Sequence, residues 1–224
     1  MTQLGGEVNR SGAACAKLES VLGEVRSNGV ISIDIETYSP NGKPWETWAD
    51  PIVSIAMVYS KTINPTDGCS TQCLVGKPQS EVEFLRKFIN ILDALDCPRI
   101  WFFGYGIGRF DYPYLQSRAE IYQLDVAIRE AVDRQANYDV CDLAKHAFGL
   151  SPDSRLSMAR TEELLGIRRT SDKSILNGAN FHNAYDSWRH NEEKQAIWYN
   201  QEDAINTLLI LWKLSCRTVS PPRS

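Results

Sequence analysis

Apolar and polar positions alternate along Val30-Ile31-Ser32-Ile33-Asp34-Ile35-Glu36-Thr37. A period of two places Ile31, Ile33 and Ile35 on one face and Ser32, Asp34 and Glu36 on the other, and Val30 to Ile35 reads as a β-strand with one apolar side. Ile52 to Tyr59 reads as a second strand and Gln72 to Val75 as a short third. The period then changes. From Ser80 to Leu95 the apolar set Val82, Phe84, Leu85, Phe88, Ile89 and Leu92 falls on one side of a helix. Ser80 stands as its N-cap, with Glu83 at capping-box spacing. Arg99 to Phe103 is a further apolar strand, and glycines at 104, 106 and 108 form a turn after it.

Helices are predicted from near Phe110 through Leu115, over Asp142–Phe148 (closed by Gly149), over Leu156–Leu165 (closed by Gly166) and over a long final stretch, Glu192–Leu214. Upstream, Ala14–Arg26 has helical spacing at Leu18, Val21, Leu22 and Val25, and Asn28-Gly29 stops it. Residues 37–51 hold Pro40, Asn41-Gly42, Pro44 and Pro51 and read as a long loop, with a Pro/Gly turn at 64–68. Residues 1–13 are expected to be a flexible N-terminal segment, 14–216 a single domain and 217–224 a flexible tail. Strands in front, helices behind and a helix between strands predict an α/β or α+β fold, with helices packed on a mixed sheet.

The chain has 224 residues, a one-domain length. Such a chain buries roughly 70% of its unfolded surface and needs no disulfide scaffold. Hydrophobic content of 43% and charged content of 23% match an ordinary soluble protein. No apolar run reaches the ~20 residues that span a bilayer, so no membrane partner is expected. Met1 to Ser11 has no apolar run of the kind a secretory signal needs. Six cysteines, at 15, 69, 73, 97, 141 and 216, form no C-x-x-C pair. Cys69 and Cys73, with only three histidines in the chain, make a weak zinc signal. Reduced thiols in the cytoplasm are the expectation. The net charge of −4 weighs mildly against nucleic-acid binding. It does not exclude it, because divalent cations held by carboxylates would bring an acidic site towards neutrality.

Candidate chemistry lies in four carboxylates from three distant segments. Asp34 and Glu36 are same-face neighbours about 7 Å apart along their strand. Crowding two like charges is relieved when a cation binds between them. Taken alone, the polar face of a half-buried strand is the better explanation of the pair. Asp111, in Arg109-Phe110-Asp111-Tyr112-Pro113, suits a helix cap or first turn, as does Pro113. Tyr199 and Asp203 stand at i and i+4, one above the other. Gln195 and Asn206 share that polar stripe, while Ile197, Ala204, Ile205, Leu208 and Trp212 make the buried side. A solvated helix face would explain this stripe on its own.

The three segments occur in a telling order. Asp34-Ile35-Glu36-Thr37, Phe110-Asp111-Tyr112-Pro113-Tyr114-Leu115 and Tyr199-x-x-x-Asp203 resemble the three exonuclease motifs of the DEDD superfamily, tyrosine subclass. The likeness is strongest to the 3′–5′ exonuclease domain of family-B DNA polymerases and their stand-alone relatives. Leu156–Gly166 and the ending Asp203-Ala204-Ile205-Asn206-Thr207-Leu208-Leu209 are similar to segments of those relatives. The resemblance covers roughly residues 29–214. It implies a ribonuclease-H-like fold, a mixed central sheet flanked by helices. It implies that Asp34, Glu36, Asp111 and Asp203 ligate two Mg²⁺ or Mn²⁺ ions, with Asp34 bridging both. It implies that Tyr199 orients the attacking water and that nucleoside 5′-monophosphates leave 3′ ends, with single-stranded DNA favoured. One departure stands out. The family's second motif has an asparagine five residues before its aspartate, where this chain has Gly106. With no polymerase domain in this chain, proofreading by the same chain is not expected.

Candidate substrate contacts cluster near the motifs. Thr37, Trp45 and Trp48 follow the first, and aromatic faces stack bases at ~1–3 kcal/mol each. Tyr105, Phe110 and Tyr112 are candidates to wedge near a terminal base. Lys43, Arg109, Lys145, Arg155 and Lys173 are candidate phosphate contacts. Each of these also has an ordinary structural or surface reading. His146 and His182 are read as structural. Three alternatives stay open. One is an RNA-directed 3′–5′ exoribonuclease of the same superfamily. Another is a catalytically silent nucleic-acid-binding module. The last is a nucleotide-cofactor protein, suggested by Gly104-x-Gly106-x-Gly108 after a strand and by Asp125 downstream.

Overall fold

The computed structural model describes residues 29–41, 43–95, 101–133, 136–170, 181–186 and 190–218. The predicted helix at 14–26 and both predicted terminal segments lie outside these, apart from Arg217 and Thr218, which belong to the final helix. Five strands form one mixed sheet in the order β3-β2-β1-β4-β5. They are β1 (Val30–Thr37), β2 (Ile52–Ser60), β3 (Cys69–Val75), β4 (Trp101–Gly104) and β5 (Ala136–Asp139). β1 pairs antiparallel with β2 and parallel with β4. The predicted strands at 30–35 and 52–59 each form, a little longer than their periodicity suggests. β3 starts three residues before the stretch expected at 72–75.

Eight α-helices are described: α1 (Pro44–Thr47), α2 (Glu81–Ala94), α3 (Asp111–Ile121), α4 (Asp125–Asp133), α5 (Val140–Ala147), α6 (Met158–Leu165), α7 (Phe181–Asp186) and α8 (His190–Thr218). The capping box expected at the start of α2 does not form. Ser80 sits at the N-cap without a side-chain cap bond. Its hydroxyl turns back instead, donating to the Lys77 carbonyl at 3.2 Å. The 37–51 segment is not wholly irregular, since Pro44 starts the four-residue α1 within it. α4 and β5 were not predicted.

Each face of the sheet carries helices. Ile31, Ile33 and Ile35 pack with Phe84, Leu85, Phe88 and Leu92 of α2, Tyr114 and Leu115 of α3, and Ile128 and Val132 of α4. Val30, Ala56, Val58 and Phe103 pack with Leu143 and Ala144 of α5 and Leu208, Leu211 and Leu214 of α8. The polar face of β1 is therefore not wet, as a half-buried strand would be. Ser32 and Glu36 are buried and Asp34 is half-buried. Among the described residues, no helix is long and apolar enough to cross a membrane.

A buried polar network anchors the loop after β1. Glu81 is fully buried and pairs with Arg118. It also accepts the Ile52 N–H at 2.7 Å and the Tyr122 hydroxyl at 2.8 Å. Arg118 donates on to the Ala49 carbonyl at 2.6 Å. The Tyr114 hydroxyl bonds the Asp50 carbonyl at 2.8 Å. A buried pair satisfied on every side in this way holds a segment more than it stabilises the whole chain.

Candidate active site

The site forms where β1 outruns its neighbour. The ladder to β4 covers only Val30 to Ser32, so residues 33–37 extend past the end of the parallel partner. Carboxyl ends of parallel strands are the usual place for ligands in open α/β sheets. On the other edge the β1–β2 register slips between Glu36 and Thr37. Such a bulge bends a strand and re-aims its side chains.

β4 runs into the glycine turn that delivers Asp111. A Cβ on Gly104 would meet the Ile107 Cβ at 2.6 Å, and Gly106 has φ +82°. Both positions need glycine for close approach and for left-handed backbone. The turn closes with the Arg109 and Phe110 N–H groups on the Gly106 carbonyl, at 2.9 and 3.1 Å. Asp111 then opens α3. Its carboxylate accepts the Ile35 backbone N–H, beyond the last β4 pairing at Ser32.

α8 lies across the same end of the sheet. Its buried stripe is polar at first (Tyr199, Asn200, Asp203, Thr207) and apolar beyond (Leu208, Leu211, Leu214). The face expected to be solvated is therefore the one packed on β1. Ile197, Ile205 and Trp212, expected to be buried, are only half-buried, and Gln195 is exposed.

One carboxylate oxygen from each of Asp34, Glu36 and Asp203 lies within 4.8 Å of the other two. Asp111 does not join that tight trio. It stands close enough to act on Asp34 and to feel the charge of Asp203. Burial pushes the Asp34 carboxyl well above the usual carboxylate range; Asp203, Glu36 and Asp111 add to the rise, and the Asn200 amide opposes it. Burial also carries Asp111 up to about 7, against the bonds from Ile35 and its own backbone N–H. The Tyr199 hydroxyl bonds Asp203; burial, followed by Glu36, Asp203 and Asp34, pushes its pKa far upward and keeps the phenol neutral. The donor set is oxygen only. Hard carboxylate ligands crowded together fit a hard divalent cation, which would relieve the burial and crowding that raise Asp34 and Asp111.

Sequence reasoning missed three residues that hold this cluster. The Asn200 amide donates to Asp34 Oδ2 at 2.6 Å and to the Asp34 carbonyl at 3.2 Å. Its oxygen accepts the Ser54 hydroxyl at 2.6 Å. Arg169 pairs with Asp203 and, at 2.6 Å, with Glu162. Asp139 Oδ1 accepts the Gly106 N–H at 3.0 Å and, as N-cap of α5, the Cys141 N–H at 2.9 Å. It thus fastens the glycine turn that lacks an asparagine. The adjacent pair Arg168-Arg169 just past a helix stop was the available signal for Arg169. Nothing in the local pattern marked the other two.

The predicted substrate contacts divide. Trp45 is 53% exposed on α1 and free to stack. Trp48 instead stacks on Tyr114 with ring centroids 5.3 Å apart, and Phe110 packs against both rings. The Tyr105 hydroxyl bonds Thr161 and the Leu156 carbonyl, which makes it a brace between elements and no wedge. Tyr112 lies on α3, where its hydroxyl accepts the Gln116 amide at 2.8 Å. Thr37 is buried and shares a 2.7 Å bond with Ser39.

Lys145 is a correction. It is buried, with its ammonium on the Pro152 carbonyl at 2.8 Å, and is not placed for a phosphate. Arg109 pairs with Asp142 and Lys43 with Glu46, both at the surface. Arg155 and His146 are exposed, and His182 stands edge-on to Tyr38. Lys173 lies outside the described residues. Cys69 is exposed, and Cys73 bonds Ser54 and Asn200. Among the described residues neither cysteine joins a metal-ligating group. The glycine turn serves Asp111, which leaves the nucleotide-cofactor alternative without a phosphate cradle.

A model of the RNase H superfamily matches residues 31–215. The chain is 25% identical over 197 residues to a DNA polymerase of Archaeoglobus fulgidus, a match that covers 83% of this chain and 22% of the polymerase. The structure also superposes on the family B DNA polymerase from the hyperthermophilic archaeon Pyrobaculum calidifontis with a TM-score of 0.63. Identity there is 21%, over 84% of this chain and 24% of that one. The chain therefore spans about a quarter or less of these relatives. The mixed sheet with helices on both faces is the ribonuclease-H-like α/β arrangement the sequence led us to expect.

Proposed function

Because the chain belongs to the RNase H superfamily, we propose that it is a metal-dependent 3′–5′ exonuclease of the DEDD tyrosine subclass. In this reading it removes nucleoside 5′-monophosphates from 3′ ends, single-stranded DNA first among them. The observation that carries the reading is the convergence of Asp34, Glu36 and Asp203 oxygens within 4.8 Å, with Asp111 and Tyr199 beside them. Asp34, Glu36, Asp111 and Asp203 would hold two divalent cations, Mg²⁺ or Mn²⁺. Bound there, such ions supply Lewis-acid stabilisation of charge at a phosphoryl centre and a more acidic water.

The remaining work falls to the protein. Asn200 fixes the rotamer of Asp34 from the helix side, so the carboxylate is aimed before any ligand arrives. Asp111 is held by the Ile35 N–H. Tyr199 is a neutral donor whose hydroxyl can orient a water for in-line attack and cannot serve as a base at neutral pH. Trp45 offers an exposed ring after the first motif on which a base can stack.

A 3′-labelled single-stranded oligonucleotide incubated with Mg²⁺ tests the proposal. Release of nucleoside 5′-monophosphates, lost with chelator and with Asp34→Ala, is the expected result. Undiminished degradation in excess EDTA defeats the mechanism. A parallel RNA substrate decides between deoxyribonuclease and exoribonuclease, and retention of the strand without cleavage points to a silent binding module.

A further inference from the structure

The segment after α6 is laid along α8 by a dense set of polar contacts. Gly166 ends α6 in left-handed conformation. Three residues on, the Arg169 Nε donates to Glu162 at 2.6 Å and its Nη1 bonds Asp203. Glu162 is itself buried and accepts the Asn206 amide at 3.0 Å. Thr170 donates both its N–H and its hydroxyl to Glu202, at 2.6 and 2.9 Å. Trp198 donates to the Thr170 hydroxyl at 3.1 Å. Arg169 is thus tethered from one side by Glu162 while its free arm reaches into the acidic cluster. Its Nη2 is buried and makes no hydrogen bond among the described residues.

A guanidinium on Asp203 has two consequences. It fixes the rotamer of that carboxylate, and it places a positive charge where a divalent cation would seek a ligand. Like charges a few ångströms apart in a buried site repel strongly. Two cations cannot share Asp203 at full strength, so metal binding must draw on the free energy of the Arg169 contact. Glu162 makes the exchange possible, because it keeps the guanidinium neutralised when Asp203 is released.

Building on the metal-binding reading above, we propose that Arg169 is a positioning residue for Asp203, a resident counter-cation that holds this carboxylate and yields it to an incoming divalent ion. Metal occupancy is thereby coupled to the 166–170 segment. Glu162 acts through Arg169, and its charge sets how firmly the arginine holds on.

The test measures Mn²⁺ affinity by titration calorimetry on chelator-stripped protein, with melting temperature read with and without Mn²⁺. Arg169→Gln removes the competitor and is expected to bind Mn²⁺ about tenfold more tightly, since apparent affinity scales with the fraction of free site. Its melting temperature without metal falls, and its Mn²⁺-induced rise grows. Glu162→Gln leaves the guanidinium with Asp203 alone and shifts affinity the other way, several-fold weaker. Arg168→Gln, an exposed neighbour with the same charge change, is the control and stays within about twofold of the parent. An Arg169→Gln affinity equal to that of the control, or weaker than the parent, overturns the proposal. If Arg169→Gln fails to fold, Glu162→Gln decides: weaker binding supports the exchange and unchanged binding overturns it. Absence of Mn²⁺ uptake by the parent protein sinks the metal reading itself, and the proposal with it.

Discussion

The side-chain amide of Asn200, on α8, donates to Asp34 Oδ2 on β1 at 2.6 Å across 166 residues of sequence. The same side chain takes the Ser54 hydroxyl on β2. One residue therefore sews the final helix to two strands at the point where the acids meet. Asn200→Ala takes the amide away from Asp34 and leaves Ser54 with Cys73 in place of its strongest partner. We expect a loss of about 1–3 kcal/mol in stability, seen as a lower urea midpoint, together with weaker Mn²⁺ binding. A variant with the parent's midpoint and affinity contradicts this role.

The two raised carboxyls fix a direction for pH dependence. In the folded protein Asp111 titrates near 7 and Asp34 well above its ordinary value of 3.8. The folded state therefore binds these protons more tightly than the unfolded chain. The contribution of Asp111 to stability is fully present below about pH 4 and is lost as pH rises through about 7; Asp34 acts in the same direction. At ~1.4 kcal/mol per unit, the loss from Asp111 amounts to a few kcal/mol. Asp111→Asn removes one of these groups. In EDTA its unfolding free energy should vary less between pH 5 and 8 than the parent's, and at pH 8 it should be the more stable protein. Parallel pH profiles for the two contradict the assignment.

Tyr199 is neutral and bonded to Asp203, so its loss should separate catalysis from metal binding. Tyr199→Phe is expected to cut turnover by about 10²-fold, the usual cost of one oriented donor. Mn²⁺ affinity should change little. A large fall in affinity would mean that the hydroxyl serves the ligands more than the water.

The Glu81–Arg118 pair carries a structural prediction. Arg118 is nearly fully enclosed and is the buried cation facing Glu81. Arg118→Met strands that carboxylate and frees the Ala49 carbonyl. A destabilisation of about 3–5 kcal/mol is expected, as for other buried pairs that lose one partner. An unaltered melting temperature would show that Glu81 is satisfied by Ile52 and Tyr122 alone.

Much of this molecule is legible in its sequence because the signals are local. The isoleucines of β1 and the apolar stripe of α2 each reveal an element through their period. The order of the three acidic segments pointed to a shared site. What stayed hidden depends on distance or on brevity. β5 is four residues long, too short to show a period. Asn200 declares itself only through a partner 166 residues away, and the reach of Arg169 to the acids shows only through Asp203, 34 residues on. The burial of the Asp34–Glu36 face was misread for a physical reason. A polar strand face looks wet in sequence, yet here a helix brings its own polar stripe to cover it. Trp48 and Lys145 were judged by closeness to a motif, which fails to separate a ring in the core or a buried ammonium from a substrate contact.

Crystals soaked in Mn²⁺ and measured at an energy where manganese scatters anomalously test the central claim most directly. The account predicts anomalous density contacting the carboxylates of Asp34, Glu36, Asp111 and Asp203. Manganese bound elsewhere, with those four side chains untouched at saturating concentration, would contradict it.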